Sequence, residues 1–358
     1  MACRTEGVRL AGVAACVPSA AADNMETAVP FYGPKAAAMI AATGVKRRHV
    51  CPENSLTSLD LAAEAARKLL AAGSFSPESF GAVICLTQTP ENLIPNDSTK
   101  AQQLLGLPGD CLAFDINAAC PGYAQGLYAA ALIARSMNKR VLFLNGETSS
   151  YYVSPRDRAT ALLFGDAGAA SVIEPCAGAE AWHFSFLTDG SQRGALVIPE
   201  GGYRNRVNSL SAEYKTWPDG GTRRPIDMKM DGMAIFNFVV TRVPGLLAHL
   251  MEETGVSAGT ADYLLLHQAN LFMTRQIARK LGFPAEKNPV CLDEYGNTSH
   301  VSIPLTMASR IGNELRTKPL TLLLSGFGGG LAASAAVIRT DGLVCPPVAE
   351  LDPGSVSK

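Results

Sequence analysis

The chain has no uninterrupted apolar run of 18 or more residues, so no membrane-spanning helix is expected. Its opening segment, Met1-Ala-Cys-Arg-Thr-Glu-Gly7, lacks the apolar stretch of a secretory signal. Neither sign of charge is in excess: 31 Lys and Arg face 32 Asp and Glu, for a net charge of −1. That balance argues against nucleic acid as a major partner. The nine cysteines, at 3, 16, 51, 85, 111, 120, 176, 291 and 345, are odd in number and include no Cys-x-x-Cys pair. Such usage fits a reducing cytoplasm rather than a disulfide framework. The five histidines, at 49, 183, 249, 267 and 300, show no metal-ligand spacing, so neither a metal site nor a resident cofactor is expected. Gly326-Phe-Gly-Gly-Gly330 is glycine-rich but lacks the Gly-Lys-Ser/Thr of a phosphate loop. Tight-turn chemistry explains it equally well, unless a backbone N–H there lines a site.

What is present is apolar bulk. Of 358 residues, 47% are hydrophobic, enough for one large domain or two packed halves. The most informative stretch is Phe114-Asp-Ile-Asn-Ala-Ala-Cys-Pro-Gly-Tyr-Ala-Gln-Gly-Leu127. Cys111 to Ile116 reads as a buried strand and Gly122 to Met137 as a buried helix, with Cys120 where one gives way to the other. A thiol there meets the positive end of a helix dipole and nearby N–H groups, a setting that favours the nucleophilic thiolate. An isolated cysteine is more often simply buried. Two other segments shift that balance. In Tyr263-Leu-Leu-Leu-His-Gln-Ala-Asn270 an apolar strand ends on His267, and in Tyr295-Gly-Asn-Thr-Ser-His-Val-Ser-Ile-Pro304 a Gly-Asn turn places Asn297 before a helix. Alone, His267 is a core histidine and Asn297 a turn residue. Together, Cys, His and Asn at element ends form a nucleophile constellation.

The two halves repeat one series of elements. Strands are expected at Ala82–Leu86, 111–116 and Arg140–Leu144, then at Tyr263–Leu266, Asn288–Leu292 and Leu320–Leu324. Helices are expected at Leu59–Ala72, Ser98–Leu105, Gly122–Met137, Phe236–Thr254, Leu271–Lys280 and Ile303–Leu315. The steps suit strand–helix–strand crossovers in largely parallel sheets. Each half also carries a hairpin-like glycine-rich piece, Leu162–Ile173 and Leu322–Ile338. Two related α/β halves imply a pseudo-twofold axis, with sites gathered at strand C-terminal ends.

The chain resembles the ketoacyl-acyl-carrier-protein synthase III family, thiolase-fold condensing enzymes, from about Gly12 to Arg339. The resemblance is carried by Ala-Phe-Asp-Ile-Asn-Ala-Ala-Cys-Pro-Gly-Tyr (113–123), Gly-Asp-Ala-Gly-Ala-Ala (165–170), His-Gln-Ala-Asn (267–270), Gly-Asn-Thr-Ser (296–299) and Gly-Phe-Gly-Gly-Gly (326–330). It implies an α/β thiolase-like fold of two duplicated halves in α-β-α-β-α layers. Residues 1–178 would carry the nucleophilic cysteine and 179–358 the histidine and asparagine. It implies acyl transfer to Cys120 from a coenzyme A or acyl-carrier-protein thioester, then decarboxylative condensation with a malonyl thioester. His267 and Asn297 would donate hydrogen bonds to the enolate oxygen. The N–H groups of Cys120 and Gly329 would form the oxyanion hole. A homodimer working with acyl carrier protein in the cytoplasm follows from the same likeness.

Some positions depart from the family pattern. Ala38 and Ala42 stand where a Trp and an Arg usually hold the coenzyme A nucleotide. Phe272 stands where an Arg faces carrier or phosphate, with Arg275 and Arg279 available one and two turns on. Arg158 matches a basic position at the pocket entrance. Leu93-Ile94 aligns with a gating aromatic supplied by the dimer partner. These differences point to a specialised fatty-acid, cofactor or polyketide pathway with an unusual donor. Two other readings stand beside this one: an acyltransferase passing the Cys120-bound acyl group to an alcohol or amine, and a non-catalytic ketosynthase partner subunit.

Overall fold

The computed structural model describes residues 3–53 and 55–356, which leaves Met1 and Ala2 of the opening segment outside it. Two sheets carry the chain. The first runs β6 (Leu112–Ile116), β5 (Phe80–Leu86), β7 (Arg140–Glu147), β8 (Ala167–Pro175), β2 (Val8–Pro18) and β17 (Ala349–Leu351). The second runs β14 (Tyr263–Leu266), β15 (Pro319–Gly328), β16 (Ala332–Asp341), β9 (Trp182–Thr188) and β1 (Cys3–Thr5). Three small pairs complete the strands: β3 (Ala21–Asp23) with β4 (Arg47–His49), β10 (Leu196–Val197) with β13 (Lys229–Met230), and β11 (Lys215–Thr216) with β12 (Thr222–Arg223).

Both sheets repeat one arrangement. A parallel pair, β5–β7 or β14–β15, is continued by antiparallel neighbours, β8 and β2 or β16 and β9. The terminal strands cross over, β1 pairing with β9 in the second sheet and β17 with β2 in the first. The counterpart of β6 is missing. The strand expected over Asn288–Leu292 does not form, because Pro289 has no N–H for a ladder and Asn288 Nδ2 donates to the Leu264 carbonyl at 2.8 Å. The chain turns instead into the short helix α8 (Leu292–Tyr295).

Side chains alternate across β7. Val141 and Phe143 enter the layer between the sheets, while Leu142 and Leu144 face outward. The inner layer is α5 (Gly122–Met137) and α9 (Ser302–Arg310), packed with Tyr123, Leu127, Ile303 and Leu305 fully buried. Each such side chain contributes roughly 1.5–3 kcal/mol of burial free energy. α3 (Ser58–Gly73), opened by a Thr57/Asp60 capping box, covers the first sheet with α4 (Asp97–Leu104). α6 (Gly232–Thr254) and α7 (Leu271–Lys280) cover the second. The layers are therefore α-β-α-β-α, as expected. α6 is long and apolar enough to cross a membrane by length and composition, but Phe238, Val239, Val243 and Leu247 pack it onto the second sheet.

Other expectations need correction. The helix expected over Ile303–Leu315 breaks at Ile311 (φ −126°, ψ 13°) into α9 and α10 (Gly312–Thr317). Two helices, α1 (Asn24–Tyr32) and α2 (Ala36–Thr43), were not anticipated. The first glycine-rich piece is no hairpin: β8 begins only at Ala167, and Phe164 bridges to Asn297. The stretch 111–116 is not buried, since β6 lies on the sheet edge with Leu112 45% exposed.

Candidate active site

Strand β6 hands the chain through Asn117–Ala119 to Cys120, which ends two residues before α5 begins. The thiol is buried, 6% exposed. Strand β15 passes directly over it. A Cβ on Gly328 would lie 3.1 Å from Cys120 Sγ, and one on Gly326 would overlap the Cys120 carbonyl, so both positions require glycine. Burial pushes the Cys120 thiol up to about 11, and nearby Glu147 adds to the rise. The Ser299 hydroxyl and the N–H groups of Cys120 and Gly329 act the other way. The thiolate-favouring setting expected from the helix start is thus outweighed by desolvation in the free protein. Donors from Cys120 and Gly329 do converge on the sulfur.

His267 follows β14 directly, its N–H donating to the Ser325 carbonyl at 2.8 Å. The ring stands edge-on to Phe327, centroids 5.5 Å apart. Nδ1 lies 3.0 Å from the Ser299 carbonyl and 2.9 Å from Ser302 Oγ. Ser302 Oγ donates its own proton to the Ser299 carbonyl at 2.7 Å, so His267 Nδ1 carries the hydrogen of the neutral ring. Burial lowers the His267 pKa to about 3, the Ser299 carbonyl opposing and His300 adding to the fall. The imidazole is neutral at physiological pH, and Nε2 makes no hydrogen bond among the described residues.

Asn297 follows Gly296, whose φ of 70° makes the turn out of α8. Its N–H donates to the Leu163 carbonyl at 2.8 Å, and its Oδ1 accepts from Ser299 N–H at 2.9 Å. The amide NH2 is left as a donor. Ser299 is the hub: its Oγ lies 3.7 Å from Cys120 Sγ, its carbonyl meets His267 and its N–H meets Asn297. It holds φ at 53°, a left-handed conformation uncommon for a residue with a Cβ.

Two other motif residues are structural. Gln268 links the Leu266 carbonyl to Cys291 N–H, and Asn270 caps α7 through Met273 N–H. A cavity of about 540 Å³ opens beside Cys120, walled by Ala119, Pro121, Gly329, Gln125, Leu196 and Met228. A second, of about 390 Å³, is lined by Ala42, Arg158 and Leu163. Leu163 ties it to Asn297. Arg275 lines a third, of about 600 Å³, with Ile40, Ala41 and Leu271. Ala38 is exposed on α2, Phe272 is exposed against Phe236, and Arg279 bonds Gln276 on the surface. Ile94 is 83% exposed and does not line the cavity beside Cys120. Sequence reading did not single out Ser299, Ser302, Glu147, Tyr152 or His300, although Glu147 ends an apolar strand and His300 sits inside the asparagine motif.

A five-layer fold with Cys, His and Asn converging beneath a glycine-rich strand defines a thiolase-fold condensing enzyme. The chain belongs to the 3-oxoacyl-[acyl-carrier-protein] synthase III family. Profiles described as 3-oxoacyl-[acyl-carrier-protein (ACP)] synthase III and as its C-terminal part match residues 114–190 and 251–340. The β-ketoacyl-[acyl-carrier-protein] synthase III of Erythrobacter litoralis is 34% identical over 303 residues, 83% of this chain and 88% of that protein. A crystal structure of 3-oxoacyl-(acyl-carrier protein) synthase from Burkholderia xenovorans LB400 matches with a TM-score of 0.91 at 37% identity, covering 98% of this chain and 99% of that one. The synthase III from Pseudomonas aeruginosa PAO1 matches with a TM-score of 0.80 at 27% identity over 95% and 100%. The protein is an acyl-transferring condensing enzyme.

Proposed function

We propose that Cys120 takes an acyl group from a thioester donor and passes it to the enolate formed by decarboxylation of a malonyl thioester on acyl carrier protein. The observation that carries this reading is the meeting of Cys120, His267 and Asn297 on the single residue Ser299. In loading, Sγ attacks the donor carbonyl, and the N–H groups of Cys120 and Gly329 receive the oxyanion. In condensation, the Asn297 amide NH2 is the ready donor to the enolate oxygen, since a neutral side chain there does not repel it. His267, bound through Nδ1–H, presents Nε2 as an acceptor and donates from it only when that nitrogen is protonated. The apolar and amide walls beside Cys120 form the acyl chamber, and the Arg158 cavity is the donor's approach. The specialised pathway is part of this proposal, as are the roles of Arg158, Phe272, Arg275, Arg279 and Ile94. So is a homodimer in which Leu93 and Ile94 close the partner's chamber.

Intact-mass measurement after incubation with acyl thioesters tests the reading. The native protein should gain one acyl group and then release a 3-oxoacyl product with CO₂ when malonyl carrier is added. Cys120→Ala should gain none. Acylation of that variant sinks the nucleophile assignment, and product release without CO₂ sinks the condensation.

A further inference from the structure

Behind Cys120 lies a buried polar group that loading and condensation do not use. Glu147 ends β7, fully buried, on the same strand face as Val141, Phe143 and Asn145. That face looks into the layer of α5, whose N-terminal end holds Cys120. Two donors and an imidazole nitrogen converge on its carboxyl group. Tyr152 OH reaches Oε1 at 3.1 Å, Gln88 N–H reaches Oε2 at 3.2 Å, and His300 Nε2 lies 3.1 Å from Oε2. Such a set fits a carboxylate, which accepts and does not donate. His300 is also 0% exposed, and its Nδ1 has no partner among the described residues. One ring nitrogen is therefore engaged by Glu147 and the other is left without a partner among the described residues. The next residue back is Ser299, whose hydroxyl lies 3.7 Å from Cys120 Sγ.

We propose that the buried contact between Glu147 and His300 sets the ionisation of Cys120, and with it the rate of acyl loading. The inference rests on Cys120 being the nucleophile. Both act as positioning residues. In loading, the Sγ–H bond breaks, the Sγ–acyl bond forms, the donor's carbonyl–sulfur bond breaks, and the proton ends on the released thiol. The pair adds no atom to that exchange. An uncompensated carboxylate near the sulfur opposes the thiolate. His300 Nε2, 3.1 Å from Glu147 Oε2, ties the 299–301 turn to β7 and offsets that opposition only in part. The titratable groups facing the pair are Cys120 from the start of α5, Tyr152 from the 149–152 turn and His267 from the end of β14.

The test is the pH dependence of Cys120 alkylation by iodoacetamide, read on the Cys120 peptide by mass spectrometry in the full-length protein. Glu147→Gln removes the anion, so its midpoint should fall by about one pH unit, a tenfold faster alkylation below it. His300→Gln leaves the carboxylate uncompensated, so its midpoint should rise. A purely structural role would move neither midpoint in this signed way. The proposal is overturned if both midpoints move in the same direction, or if either stays at the native value. Should Glu147→Gln fail to fold by its thermal melt, His300→Gln against His300→Lys gives the same contrast. The amide should raise the midpoint and the ammonium should not, and equal midpoints overturn the pair. Acyl uptake by the native protein is measured alongside: its absence defeats the nucleophile assignment, whereas intact uptake without signed shifts defeats only the pair.

Discussion

Ser299 Oγ stands 3.7 Å from Cys120 Sγ, on a residue whose carbonyl and N–H also engage His267 and Asn297. The hydroxyl is the largest counterweight to the burial that raises the thiol. Ser299→Ala keeps both backbone contacts and deletes only the hydroxyl. Losing one such hydrogen bond is worth about 0.5–1.5 kcal/mol, so acyl loading should slow by roughly two- to tenfold. Malonyl decarboxylation should be unchanged. Single-turnover loading measured by rapid quench checks this, and a variant that loads at the native rate refutes the role.

His267→Ala and Asn297→Ala should spare loading and cripple condensation. Asn297 is a preorganised donor, and removing one such donor typically costs about 10²–10³ in rate; His267→Ala removes the Nε2 that must gain a proton before it can donate. Asn297→Asp should lose condensation as well, because a carboxylate repels the developing enolate. The informative quantity is the ratio of the two half-reactions. If either alanine variant fails mainly at loading while decarboxylating malonyl carrier normally, the enolate role is wrong.

Five of the six expected strands, the helix Gly122–Met137 and the positions of Cys120, His267 and Asn297 at element ends are readable from local pattern. Apolar alternation and small-residue runs are local signals, and the site lies where those elements stop. The rest depended on contacts no local pattern carries. Glu147 and His300 are 153 residues apart in sequence. The left-handed turn at Ser299 is set by packing between β7 and α9. Asn288-Pro-Val-Cys291 reads as a strand until Pro289 is asked for a ladder N–H. β6 reads as a buried strand because its apolar residues belong to a sheet edge that has no outer neighbour among the described residues.

That edge carries the next prediction. Among the described residues β6 has no neighbour on its outer side, and Leu93 and Ile94 beyond β5 are 74% and 83% exposed. Unpaired apolar edges favour pairing with a second copy. The protein should be a homodimer burying roughly 2,000 Å² or more. Ile94→Asp should weaken it and alter acyl-chain preference, since the gate would come from the partner. A stable, fully active monomer in sedimentation at micromolar concentration would count against both.

Acid should destabilise the fold through His267. Its pKa falls from an ordinary 6.5 to about 3 on burial, so between those values the unfolded chain binds the extra proton. Stability then rises with pH across that window, by at most about 1.4 kcal/mol per unit, and is lost as pH falls through it. Asp97, raised by burial to about 6, acts in the opposite sense above pH 3.8, the folded form holding the proton. Its effect is common to native protein and His267→Gln and cancels in their difference. Urea unfolding of both proteins should show the native chain losing stability faster on acidification. Parallel curves would mean His267 is protonated in the fold.

The donor is the remaining question, and α2 frames it. Ala37, Ala38, Ala41 and Ala42 are all exposed on this helix, and Ala42 lines the cavity that holds Arg158. An alanine face offers neither a ring to stack on adenine nor a cation for a phosphate. Stacking is worth about 1–3 kcal/mol per base, and a hydrogen bond to a charged group about 1.5–3. Without both, coenzyme A thioesters should bind about a hundredfold or more weakly than where both contacts are made, since each 1.4 kcal/mol is about tenfold. With one acyl group presented both ways, the carrier-protein thioester should load Cys120 at the higher kcat/KM. Ala42→Arg should narrow the gap by improving the coenzyme A donor alone, through a lower KM. Neutralising Arg158, Arg275 or Arg279 should weaken whichever donor leans on that face. A clear native preference for acyl-coenzyme A, untouched by all three neutralisations, would show that the alanine face does not decide the donor.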